Sequence, residues 1–274
     1  MIKKNEILEN LKSMKEDFCV YISRIYFRFF AQESGVRFVV LSKGRCGSTY
    51  LMRMLSSHPK IRVSEEILGT YILNKRVKER IKKLGCVFYL ESFLQPLIGK
   101  TCAGVKILYF SLEKKWQEKN ESLKLFKIEE YLRRHKDIKI VHLKRKNKLD
   151  VLRSTEVAQI TKQWHYNKSE AIKNCGKINL SIEECWSFFK EIESQEVYYE
   201  SLFREHDTFE VYYEDLIRNP QKTWSDLLKF ICVNPHRLIT KLKKINTLPL
   251  SESIENYEEL KEFFSKTEYK IFFE

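Results

Sequence analysis

The stretch Leu41-Ser-Lys-Gly-Arg-Cys-Gly-Ser-Thr49 gathers two glycines, an arginine and adjacent hydroxyls, which is the chemistry of an anion cradle. Gly44 and Gly47 let backbone amides come close to an anion, and Ser48 and Thr49 add hydroxyl donors. Arg45 supplies a planar, permanently charged fork matched to phosphate or sulfate oxygens. Residues 50–58 continue with apolar side chains at helical spacing and stop at Pro59. The loop therefore opens a helix whose first amides lack intrahelical acceptors and favour negative charge. A triphosphate loop of the G-x-x-x-x-G-K-S/T type needs a lysine between Gly47 and Ser48, where there is none. An ordinary kinase or ATPase loop is thereby disfavoured. Taken alone, the stretch is equally a glycine-containing turn with a surface arginine.

A second cationic run, Lys144-Arg-Lys-Asn-Lys-Leu-Asp-Val-Leu-Arg-Ser154, reads as a basic turn leading into a helix. Arg145 stands at the end of an apolar run and Ser154 about two helical turns beyond the turn, so both meet one phosphate if the turn folds back. Lys144, Lys146 and Lys148 read as a solvated charged face. Glu65 and Glu66, in Arg62-Val-Ser-Glu-Glu-Ile-Leu68, are either proton acceptors or a surface pair. Lys106, flanked by Val105 and Ile107, must direct its ammonium at something polar, a reacting group or a buried carboxylate. Trp164 is a core tryptophan or a stacking surface.

Short β-type runs at 37–42, 105–108, 138–143 and 209–213 alternate with long helix-like stretches. That alternation predicts an α/β fold with a mostly parallel central sheet flanked by helices, and a ligand site beyond the carboxyl ends of the strands. No repeat or linker divides the chain, so the expectation is a helical N-terminal extension over 1–36 and one globular unit over 37–274. Residues 18–30 are rich in aromatic and apolar side chains but are interrupted by Arg24 and Arg28 and are too short to span a bilayer. They read as a packed helix or as one making weak membrane-surface contact. The start of the chain lacks a secretory pattern, which predicts a cytoplasmic protein.

The 274 residues carry Lys+Arg 50 against Asp+Glu 37, a formal charge of +13, with 43% hydrophobic residues and only 8 Gly and 5 Pro. That composition excludes a disordered or fibrous chain and leaves phosphorylated ligands, anionic surfaces and nucleic acid electrostatically open. The 7 cysteines include no C-x-x-C pair and no zinc-ligand spacing, so reduced thiols and no structural metal are expected.

The run Gly44-Arg-Cys-Gly-Ser-Thr49 resembles the 5′-phosphosulfate loop of sulfotransferases that use 3′-phosphoadenosine 5′-phosphosulfate (PAPS), where a serine usually stands in the place of Cys46. The resemblance implies a P-loop NTPase-like sulfotransferase fold and carries the 5′-phosphate onto Arg45, Ser48, Thr49 and the amides of Cys46 and Gly47. Arg145 and Ser154 match the element that holds the 3′-phosphate. Ala158, Thr161, Trp164 and His165 are similar to the A-x-x-T-x-x-W-H pattern of bacterial carbohydrate sulfotransferases, and Val211-Tyr-Tyr-Glu-Asp-Leu-Ile-Arg-Asn-Pro220 to a recurrent structural segment. Glu66 best matches the base, held charged by nearby Arg45, and Lys106 resembles a lysine facing the active site. Lys243 or Lys244 resembles the late basic loop over the nucleotide. The activity implied by this resemblance is direct in-line sulfuryl transfer from PAPS, leaving PAP, to a hydroxyl of a small molecule or glycan, without a metal and without a specific nucleic-acid partner. The competing classes are a nucleotide kinase-like phosphate-binding protein, which would prefer ATP with Mg²⁺, and a basic polyanion-binding module.

Overall fold

In the computed structural model the described residues are 35–69, 75–97, 99–164, 175–240 and 248–274, with 18, 21, 22 and 25. Most of the N-terminal extension expected over 1–36, together with His165, Lys243 and Lys244, lies outside them. Among the described residues no helix is long and apolar enough to cross a membrane.

The central strand β1 (Val36–Ser42) is a nearly unbroken apolar run whose last residues are fully buried, the pattern of a strand covered on both faces. It is followed by α1 (Ser48–Ser56), β2 (Ile61–Glu66), α2 (Lys75–Leu84), α3 (Cys86–Leu94) and β3 (Cys102–Leu108). Next come α4 (Lys114–Lys119), α5 (Phe126–Arg134), β4 (Lys139–Lys144), α6 (Lys148–Thr161) and α7 (Ile182–Leu202). The chain closes with β5 (Thr208–Tyr212), α8 (Tyr213–Arg218), α9 (Pro220–Phe230), α10 (Leu250–Ser253) and α11 (Tyr257–Phe264). The sheet order is β2-β3-β1-β4-β5 and every pairing is parallel. All five carboxyl ends therefore open onto one edge, and β1 lies between β3 and β4 where the order reverses.

The side chains of β1 alternate between two cores. Val39 and Leu41 face Leu90 and Leu94 of α3 and Ile128 and Leu132 of α5. Phe38 and Val40 face Leu51 and Leu55 of α1 and Leu227 of α9. A third cluster joins Leu149 and Leu152 of α6, Phe189 of α7, Phe264 of α11 and the C-terminal Phe272 and Phe273.

The strand that the sequence pattern did not mark is β2. Its Ile-Arg-Val-Ser-Glu-Glu alternates as a strand should, but as an edge strand it buries only Ile61 fully, so its hydrophobic signal is weak. Its register slips between Ser64 and Glu66, and Glu66 rather than Glu65 lies opposite Lys106.

Candidate active site

The chain leaves β1 at Ser42 and turns through Arg45 at φ 67° and Gly47 at φ 86° before α1 begins. A β-carbon at Gly47 would stand 2.2 Å from Cδ2 of Tyr213. Glycine is thus required twice there, for the left-handed backbone and for the approach of the Tyr213 ring. The Gly47 carbonyl accepts from the Leu51 amide at 3.0 Å, which leaves the amides of the first turn directed out of the helix end. Ser48 is buried at the helix start and Thr49 is partly exposed beside it. Cys46 departs from the serine of the resemblance for a visible reason. Its side chain is fully buried against Val151 of α6 and Ile192 of α7, and burial pushes the thiol up to about 12, so it stays neutral. The backbone amide is what Cys46 has to offer a ligand.

Arg145 follows β4 directly and is almost fully buried. The Asn147 side chain caps α6 by accepting from the Asp150 amide at 3.0 Å, and Asp150 in that first turn takes both Arg145 and Arg153 as ion-pair partners. Arg145 Nη1 donates to the Arg45 carbonyl at 3.0 Å, and its guanidinium lies 4.9 Å from the centre of the Tyr213 ring. Arg45 in turn donates from Nε to Ser154 Oγ at 3.0 Å and from Nη1 to the Trp164 carbonyl at 2.7 Å. The loop arginine, which the resemblance gives to the 5′ end, thus reaches across to the serine given to the 3′ end. Burial first, then the neighbouring Arg145 and Arg153 charges, push the Arg45 pKa below its ordinary value. The guanidiniums of Arg45, Arg145 and Arg153 are only partly offset by Asp150 and by Glu214, whose Oε1 is 3.9 Å from Arg145 Nε, so the cluster is left cationic.

The carboxylate is aimed by the β2 bulge. With an extra residue on β2, Glu65 turns to an ion pair with Arg53 of α1, whereas Glu66 Oε2 comes within 3.7 Å of Lys106 Nζ. Lys106 is 2% exposed and donates to Thr49 Oγ1 at 3.4 Å. The buried-carboxylate reading of Lys106 is the one observed, its partner being Glu66, and its other neighbour is Thr49 in the loop after β1. A β-carbon on Gly69 would overlap Glu66 Oε1 at 1.7 Å, so glycine there makes room for the carboxylate. The expectation that Arg45 holds Glu66 charged is corrected: that cation is Lys106, and Arg45 points to Ser154. Burial raises the Glu66 pKa above the ordinary glutamate range, with Lys106 opposing it, and burial lowers that of Lys106.

The solvated-face reading of the basic turn is also corrected. Lys144 is buried between Glu200 and Glu210, and Lys148 is paired with Glu196 at 3.3 Å with both side chains largely covered. Lys146 alone fits that reading, exposed beside Asp215 at 2.6 Å. Tyr213, Asp150 and Glu214 were not singled out in the sequence as site residues, although each touches Arg145 or Gly47. Among the described residues no group of three or more His, Cys, Asp or Glu is placed to hold a metal ion.

A glycine-containing loop after the central strand, a buried arginine after its neighbour and a carboxylate–lysine pair at the edge thus lie at the carboxyl ends of an all-parallel α/β sheet. Residues 37–270 match the sulfotransferase domain family, and the chain belongs to it. Nodulation protein H of Rhizobium meliloti (strain 1021) is 28% identical over 243 residues, covering 86% of this chain and 94% of that protein. Nodulation protein H of Rhizobium tropici is 26% identical over 242 residues, with 86% and 92% covered. Among solved structures, a sulfotransferase from Alicyclobacillus acidocaldarius superimposes at TM-score 0.48 with 15% identity, covering 85% of this chain and 92% of that one. The sulfotransferase domain from the curacin biosynthetic pathway gives 0.43 at 16% identity, with 83% and 87% covered.

Proposed function

We propose that the protein transfers a sulfuryl group from PAPS to a hydroxyl of a carbohydrate or glycoconjugate. The observation that carries this reading is the cluster in which Arg45, Arg145 and Ser154 join the loop after β1 to the turn after β4. Two anion anchors at adjoining strand ends suit a nucleotide with phosphate at both its 5′ and 3′ positions. The fit has a local sign as well: Arg145 Nε and Arg153 Nε are buried without a hydrogen-bond partner, and buried guanidinium donors favour a charged acceptor. Ser48, Thr49, Arg45 and the amides of Cys46 and Gly47 would hold the 5′ side, and Arg145 with Ser154 the 3′ side. When bound, PAPS supplies an activated sulfuryl group on a phosphate leaving group.

Glu66 is the proton acceptor in this reading. A hydroxyl presented to its carboxylate gives up its proton there, and partial desolvation strengthens the base. Lys106, held between Glu66 and Thr49, offers its ammonium to negative charge building at the loop during transfer. The carbohydrate acceptor rests on the Gly44-Arg-Cys-Gly-Ser-Thr49 loop, the context of Glu66 and the Trp164-His165 pair, which resemble those of carbohydrate sulfotransferases.

Calorimetric titration tests the donor. PAP is expected to bind at micromolar concentration with or without Mg²⁺ and at least about tenfold more tightly than adenosine 5′-monophosphate, a gap of about 1.4 kcal/mol. A preference for ATP with Mg²⁺ over PAP would support a kinase-like protein instead.

A further inference from the structure

Helix α7 belongs to a stretch of sequence that carried no recognisable motif, yet one side of it meets the chain beside each anion anchor. Glu191 and Gln195 take Lys43 Nζ at 2.5 and 3.0 Å, immediately before the Gly44-Arg45 turn. One residue on, Ile192 packs on the Cys46 thiol inside the loop. Glu196 pairs with Lys148 at 3.3 Å, on the first residue of the helix that presents Ser154. Glu200, one turn later, pairs with Lys144, immediately before Arg145. The spacing 192, 196, 200 is a single helical row. The row is tied down at its far end, where Tyr199 donates to the Tyr109 carbonyl at 3.0 Å and stacks on the Tyr109 ring at 4.6 Å. At its start Ser181 caps the helix by accepting from the Glu184 amide at 3.0 Å.

Two features mark these pairs as more than surface decoration. Lys148 and Glu196 are 13% and 12% exposed, and Lys144 is 6% exposed although its partner Glu200 is half-exposed, so on the 3′ side both lysines are covered and the Lys148–Glu196 pair is covered on both sides, unlike the exposed pairs that contribute little. Lys144 is also adjacent in the chain to Arg145, Lys43 stands two residues before Arg45, and Lys148 opens the helix that carries Ser154, so a shift of each lysine is transmitted through the backbone to a proposed phosphate ligand.

We infer that α7 is a brace that sets the distance between the two phosphate anchors, with Glu196 and Glu200 positioning the 3′ anchor and Glu191 and Gln195 the 5′ loop. The inference rests on the donor reading above and goes beyond it: the preference for a nucleotide phosphorylated at both ends depends on carboxylates that touch neither phosphate.

The test compares PAP with adenosine 5′-monophosphate, which lacks the 3′-phosphate, in wild-type protein and in three variants. Glu196→Gln is expected to weaken PAP about tenfold while adenosine 5′-monophosphate changes less than about threefold, since loss of a buried pair's geometry at the 3′ side spares the 5′ loop. Glu191→Gln with Gln195→Leu should weaken both nucleotides by similar factors. Exchanging the charges, Glu196→Lys with Lys148→Glu, should restore most of the PAP preference. Thermal melts on each variant separate binding effects from loss of fold, and the double variant at the more exposed Lys43 end keeps the test available if Glu196→Gln proves unstable. Equal weakening of both nucleotides in Glu196→Gln, or unchanged PAP affinity in a folded Glu196→Gln, would overturn the brace. Absence of any PAP preference in the wild-type protein would instead remove the donor reading on which it stands.

Discussion

Arg145→Ala is expected to weaken PAP binding by about 100- to 1,000-fold, about 3–4 kcal/mol, because charged hydrogen bonds to a phosphate in a covered site are lost as a group. The protein should still fold. Asp150 keeps its pair with Arg153, and Glu214 keeps the backbone amides of Lys146 at 3.0 Å and Asn147 at 3.4 Å, so neither carboxylate is left without a donor. The Tyr213 ring loses its cation but retains Tyr50 as an edge-on neighbour at 6.3 Å. Arg145→Lys should fall between the two, since lysine restores a charge without the planar fork. Titration of PAP and of adenosine 5′-monophosphate reads the outcome, and the second nucleotide should lose far less affinity. Equal losses would move Arg145 away from the 3′ end.

Glu66→Gln should leave PAP affinity within about threefold of the wild type and lower kcat by about 100- to 10,000-fold, the usual span for removing a general base. The side-chain shape is kept, the glutamine carbonyl still faces Lys106, and Thr49 remains within 3.4 Å of that ammonium, so the fold has little reason to change. The pH dependence gives the sign. The acting form is the carboxylate, and burial raises its pKa while Lys106 partly offsets the rise. Turnover by the wild type should therefore fall as pH drops through a value above that of an exposed glutamate. In Glu66→Gln that acid limb should vanish along with most of the rate. A Glu66→Gln enzyme with normal turnover would hand the proton to another group.

The sequence made legible what depends on neighbours along the chain. The loop after β1, the arginine after β4 and a serine two turns into α6 are local patterns, and the structure brings all of them to the same edge of the sheet. What depends on distant partners was not legible. Lys144 looks like a surface lysine until Glu200 and Glu210 are folded onto it, and no spacing rule predicts that α7 will run past the strand ends. Arg45 reads naturally as a ligand of the nearest phosphate, yet its side chain extends to a serine 109 residues away. Resemblance favoured Glu66 over Glu65, but the partners of the two carboxylates were not legible because they turn on one extra residue in an edge strand. That bulge gives Glu65 to Arg53 and Glu66 to Lys106. The missing serine at Cys46 was the one departure with a readable cost, and its answer lay in Val151 and Ile192 on helices far along the chain.

Sulfur-35 labelled PAPS follows the proposed sulfuryl transfer itself. Incubated with wild-type protein and a panel of oligosaccharides, it should yield label on a saccharide hydroxyl, with PAP formed one for one and the label absent from the Glu66→Gln reaction. Slow release of free sulfate, with no label on any saccharide and no effect of Glu66→Gln, would rule out transfer to a saccharide hydroxyl with Glu66 as the base.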